Sequence, residues 1–199
     1  MAVTPLPDFT IVAFGDRSFY YRARHQHPPL GTGRRTPLSQ VASRNEKANP
    51  CPAIDLSGEP EWTPFDAPSL VGASLRFVSG EPDGNRYRVR YYRDGQQRLR
   101  ARVWFGPETE GPPGHSHGGA MAAVFDEVLG LAAWTAGYSV VVGNLNVSFR
   151  NMLPLEQVVT VESDIVSVQG RKVKVQGRIC LGDRVYAEAE ALCITIQVP

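Results

Sequence analysis

Two kinds of pattern divide this chain near residue 70. From there on, apolar and polar residues alternate with the period of two that marks a strand with one face buried. The segments 74–80 (SLRFVSG), 85–95 (NRYRVRYYRDG) and 100–107 (RARVWFGP) make a first group of strands. In the middle one Tyr87, Val89 and Tyr91 alternate with Arg86, Arg88 and Arg90, which predicts an antiparallel strand with a basic face turned to water. A second group follows at 139–154, 156–170, 171–182 and 183–198, each rich in β-branched residues and bounded by Gly, Pro or Asp. The pattern predicts three strands, one helix and four more strands.

The helix lies between the groups, from Gly119 to Ala136. Ala120, Met121, Ala122, Ala123, Val124, Phe125, Val128, Leu129, Leu131, Ala132, Ala133 and Trp134 place apolar side chains at every azimuth, so the helix is expected to be buried all round. In a chain whose other elements are antiparallel strands, the sheet must then wrap around it. The expected fold class is α+β: a curved antiparallel sheet around a central buried helix, occupying residues 70–199. Before residue 70 neither period holds, and ten of the 16 prolines fall in residues 1–68. Residues 1–69 therefore read as an irregular extension with one short helix near Glu59 to Phe65. His25 and His27 sit there among arginines, where a solvated loop explains them better than a metal site.

Composition narrows the function. With 42% hydrophobic and 21% charged residues in 199, the chain can bury a real core. A net charge of +1 gives no electrostatic reason for a nucleic-acid or membrane partner. Cys51, Cys180 and Cys193 lack metal-ligand spacing and read as reduced thiols. A turn at Gly182 and Asp183 would set Cys180 opposite residue 185 or 186, away from Cys193. A cytoplasmic location is expected; the arginines from Arg17 to Arg44, with no acid between Asp16 and Glu46, leave organellar import open.

The candidate chemistry gathers on the helix. Its start offers unpaired backbone N–H groups, and Gly118 and Gly119 let a ligand approach them closely. That makes an oxyanion site, unless the glycines only form the turn. Asp126 is a carboxylate in apolar surroundings, suited to act as general base or nucleophile; a salt-bridged acid at a rim is the plain alternative. Glu127, about 100° round the helix, reads as a solvent or interface partner. No GxSxG occurs and no cysteine lies near the histidines in sequence, so neither a serine nor a cysteine nucleophile is indicated. Asn144, Asn146 and Ser148 form a polar row on one sheet face, and Arg150, Arg171 and Lys172 lie at strand ends.

The run HGGAMAAVFDEVLG, followed by NLNVSFRNMLP, VQGRKVKV and a closing alternating strand, resembles the hot-dog thioesterases of the phenylacetate-pathway and mammalian acyl-CoA thioesterase type, over about residues 70–196. The resemblance implies a hot-dog fold, hydrolysis of acyl-CoA thioesters, a homodimer or dimer of dimers, and no metal or organic cofactor. It implies Asp126, nine residues after His117, as the catalytic acid, and His117 as the residue that shapes the oxyanion loop; His115 is incidental. Arg150, Arg171 and Lys172 would meet the CoA phosphates, with Asn144 also a substrate-binding candidate. One departure is Val142, where such proteins often have threonine. An acyl-carrier-protein thioesterase and a non-catalytic acyl-CoA-binding module are the alternatives. Gly119 and Asp126 stand about 10.5 Å apart along the helix axis, which predicts a site shared across a twofold axis.

Overall fold

The computed structural model describes residues 53–67 and 77–197. Its strands are β1 (Thr63–Phe65), β2 (Tyr87–Arg93), β3 (Leu99–Phe105), β4 (Val140–Phe149), β5 (Gln157–Gln169), β6 (Lys172–Leu181) and β7 (Arg184–Thr195). They form one antiparallel sheet in the order β1-β2-β3-β5-β6-β7-β4. The helix α1 (Gly118–Thr135) links β3 to β4 and lies in the curve of the sheet. Gly106 and Pro107 close β3. The helix ends in a Schellman motif: Tyr138 N–H bonds to Ala133 O and Gly137 N–H to Trp134 O, with Gly137 at φ +92°.

The wrap is tightest at Gly177 of β6. A Cβ there would lie 2.7 Å from both Glu162 O and Leu129 Cδ2, so the sheet meets the helix through a bare backbone. Phe125, Val128 and Leu129 are completely buried against β-strand residues such as Val103, Val161, Val173 and Ile179. Gly177→Ala is therefore expected to lower stability by about 1–3 kcal/mol through overpacking. Urea unfolding checks this, and an unchanged midpoint would show that the helix can retreat without cost.

The structure corrects several expectations. The helix is not buried all round: Gly119, Ala122, Ala123, Asp126 and Gly130 form a stripe that is exposed or half-buried. Alanine and glycine read as apolar yet suit either environment, so the stripe was invisible in the pattern. Phe77–Ser79, expected within a strand, is a turn. Glu59–Phe65 is not a helix. A turn closed by Trp62 N–H to Glu59 O leads into β1, which pairs with β2 through Thr63 opposite Arg93 and Phe65 opposite Tyr91.

Nor is the basic face of β2 wet throughout. Arg88 is buried with its guanidinium 5.1 Å over the Trp104 ring. Next to it, Tyr92 donates its hydroxyl to Leu56 O at 2.6 Å and packs on Trp62, while Arg102 donates to Ser57 O. Residues 53–62 thus cover the outer face of β2 and β3. Cys180 pairs opposite Val185, and Cys180 and Cys193 are free and buried. Among the described residues no helix is long and apolar enough to cross a membrane. His25, His27, Cys51 and the arginines from Arg17 to Arg44 lie outside the described residues.

Candidate active site

The start of α1 is built by its N-cap. His117 has extended backbone angles, φ −64° and ψ 139°, and its own N–H is held by Thr109 O at 2.7 Å. Its Nδ1 accepts the Gly119 N–H at 2.9 Å, which places the ring proton on Nε2. Gly119 is therefore committed to the cap and drops out of the pair of candidate donors. Ala120 and Met121 N–H turn back to His117 O. Among the described residues the Gly118 N–H makes no hydrogen bond. It is the open donor, at the positive end of the helix, with the Phe149 ring packed where a Cβ would be.

Asp126 lies on the exposed stripe of the same helix. Its carboxyl is pushed above the usual aspartate range, first by partial burial and then by the charge of Glu127. Burial, with a smaller part from the Asp126 charge, pushes the Cys193 thiol up to about 11. The thiol stays protonated at neutral pH, so it is a neutral wall beside the acid. Val142 sits opposite Cys193 and touches the Gly130 position at 3.5 Å. The position where a threonine was expected thus faces the helix one turn from Asp126.

Glu127 is not a solvent partner. Its carboxylate accepts from the Val78 N–H at 3.0 Å, the Ser79 N–H at 3.2 Å and the Tyr91 hydroxyl at 2.7 Å. Sequence reasoning missed these partners; the one available signal was a second acid beside Asp126 with Tyr91 at an inward strand position. Next to the helix start a cavity of about 340 Å³ is lined by Phe77, Tyr87, His117, Gly119, Ala120 and Ala123, with Arg86 and Glu108 paired at 3.6 Å on its wall.

The remaining candidates are scattered in one chain. A bulge between Val142 and Asn144 turns Asn144 to the outer face of the sheet, opposite Leu192 and away from Asp126. Asn146 and Ser148 share that face in a concavity with Arg178 and Glu188. Arg150 donates to Glu188 at 2.8 Å, and Arg171 donates to Thr195 O at 3.0 Å. Lys172 is exposed and lies in the row of Ile194 and Val141. From that row to Arg150 is nine residues of strand, about 30 Å. His115 turns to its own loop, its Nδ1 2.9 Å from Pro113 O.

Residues 113–188, which carry the helix and every candidate above, match the family model of the thioesterase superfamily. Over this segment the chain is similar to the thioesterase superfamily. The acyl-coenzyme A thioesterase THEM4 of Xenopus laevis is 32% identical over 108 residues, 54% of this chain and 49% of that protein. THEM5 of Homo sapiens, also named an acyl-coenzyme A thioesterase, is 27% identical over 125 residues, 62% of this chain and 50% of that protein. The chain spans about half the length of the curated relatives it matches. Among solved structures, a thioesterase superfamily protein superposes with TM-score 0.51 at 30% identity, covering 54% of this chain and 53% of that one. An aspartate-to-alanine mutant of a hypothetical thioesterase from Streptococcus pneumoniae has TM-score 0.51 at 17% identity over 67% of this chain and 99% of its own, a likeness of fold. The curved sheet around one α-helix among the described residues is the hot-dog fold of such thioesterases.

Proposed function

We propose that the domain hydrolyses acyl-CoA thioesters at a site shared by two copies paired along β4. The observation that carries this reading is the separation of the open donor from the acid. Gly118 and Asp126 are eight residues apart, about 12 Å along the axis, whereas a reacting carbonyl must sit about 3 Å from both. One chain cannot supply both groups to one carbonyl. Two antiparallel helices related by a twofold axis can, since the start of each then lies beside the middle of the other. The half-buried stripe of small residues gives the close approach, and among the described residues β4 is the last strand of the sheet, with no neighbour on its outer side. The same pairing brings Arg150 of one copy to the same end as Arg171 and Lys172 of the other, where they would meet the CoA phosphates.

The chemistry follows from the groups. Water held by Asp126 attacks the thioester carbon while the carboxylate takes its proton. The carbonyl oxygen, now an oxyanion, is held by the Gly118 N–H. On collapse the C–S bond breaks and the CoA thiolate recovers the proton from Asp126, leaving the free acid and CoA thiol. Partial desolvation of Asp126 favours this role, because it raises the basicity of the carboxylate.

The donor has a direct test. Gly118 is the first helical residue and follows a residue with extended angles, so proline fits there while removing the N–H. Gly118→Pro is expected to lower kcat by about 100- to 1,000-fold. Gly118→Ala is the control: it also presses on Phe149, whose ring lies 3.1 Å from the added Cβ, but keeps the donor. Equal activity in the two variants would remove the Gly118 N–H from the mechanism.

A further inference from the structure

Phe77 lies in no strand or helix, is 74% exposed, and forms one wall of the cavity at the helix start together with Gly119, Ala120 and Ala123. A phenyl ring left in water forgoes the stabilisation of burial, so something other than packing must fix its place. The next two residues supply it. Val78 and Ser79 donate their backbone N–H groups to the two carboxylate oxygens of Glu127, and the Tyr91 hydroxyl donates to the Ser79-bound oxygen. Tyr91 is 5% exposed and belongs to the core, so its hydroxyl is a fixed point on β2, as Glu127 is on α1. Hydrogen bonds to an ionised acceptor are about twice as strong as neutral ones, which suits a clamp on a turn with little else of regular structure.

We infer that Glu127 sets acyl-group selectivity: as a positioning residue it clamps the turn Phe77–Ser79, and the clamp holds the Phe77 ring as a wall of the acyl pocket. The inference rests on the acyl-CoA hydrolysis proposed above. The cavity is lined by His117 and Gly119, the residues on either side of the Gly118 donor, so an acyl chain whose carbonyl meets that donor can lead from there along Ala120, Ala123 and Phe77. Arg86 and Glu108 neutralise each other on its wall, and the remaining charge there is the acid Glu110, which disfavours an anionic acyl group. At about 340 Å³ the cavity is near the lower end of the roughly 300–1,000 Å³ seen for small-molecule sites. Short and aromatic acyl groups fit beside the ring; a long chain must displace it.

The test is release of CoA thiol from butanoyl-, benzoyl- and hexadecanoyl-CoA by the full chain and by Phe77→Ala and Glu127→Ala. The ratio of kcat/KM for hexadecanoyl- to butanoyl-CoA is expected to rise about tenfold or more in both variants, the scale on which pocket size discriminates. Partial unfolding cannot produce this result, since it lowers all three substrates alike. Amide hydrogen exchange at Val78 and Ser79 is expected to quicken in Glu127→Ala and to stay unchanged in Phe77→Ala. Ratios within about twofold of wild type, or a change in one variant without the other, overturn the inference while leaving the hydrolytic reading intact. A wild-type protein that hydrolyses none of the three substrates overturns both.

Discussion

Asp126→Asn is expected to lower kcat by about 100- to 10,000-fold while the protein stays folded, because asparagine keeps the shape of the acid but cannot take a proton. The substitution should also raise thermal stability at neutral pH. The sign follows from linkage. Burial and the Glu127 charge raise the Asp126 pKa in the folded state, so there the folded protein binds more protons than the unfolded one, and stability falls as pH rises from the unfolded value through the folded one. Above that window the ionised carboxylate destabilises the fold, and asparagine removes the charge. The melting-temperature gain should be largest near neutral pH and vanish in acid, where the wild-type residue is protonated too. In the wild type, kcat/KM should fall on the acid side at a pH above the usual aspartate range. Turnover within about threefold of wild type in a folded Asp126→Asn protein would sink the assignment of the base.

Mixing two dead proteins should restore activity. Asp126→Asn and Gly118→Pro chains, unfolded and refolded together in equal amounts, are expected to regain about a quarter of wild-type turnover. Half of the dimers are then mixed, and each mixed dimer joins the intact Gly118 donor of one chain to the intact Asp126 of the other at one of its two sites. If each chain built its own site, the mixture would stay as inactive as its parents. An inactive mixture that nonetheless contains mixed dimers, detected by a size tag on one chain, would refute the shared site.

The parts legible in the sequence are those fixed by local chemistry. β5, β6 and β7 announced themselves because Gly170 and Gly182 carry the positive φ at the first position of the two-residue turns Gly170–Arg171 and Gly182–Asp183, and the intervening residues keep a period of two. Asp126 and His117 stood out because an acid in an apolar run and a polar residue at a helix start need explanation wherever they occur. The turn Phe77–Ser79 could not be read locally, since the group that orders it, Glu127, is 49 positions from Val78. β1 is three residues long with Pro64 at its centre, too short for any period. The face of Asn144 depends on one bulge, and a one-residue shift reverses every side chain beyond it. Which glycine donates depends on the ring of His117, which takes the Gly119 N–H for itself.

The two ends of the sheet are finished differently, and this bears on how far such a molecule can polymerise. β1 ends one side with three residues, and Pro64 has no N–H to offer a neighbour; short edges and proline are the usual guards against further pairing. β4 ends the other with ten residues, and among the described residues no strand pairs beyond it. A ribbon with one sticky margin can join a second ribbon at that margin, and the product has none left. Growth stops after a single addition, so the strand that lends itself to association cannot seed a fibre as long as β1 keeps its place. Loosening β1, for instance by losing the Tyr92 hydroxyl that anchors Leu56, would create a second sticky margin and turn a terminating unit into a propagating one.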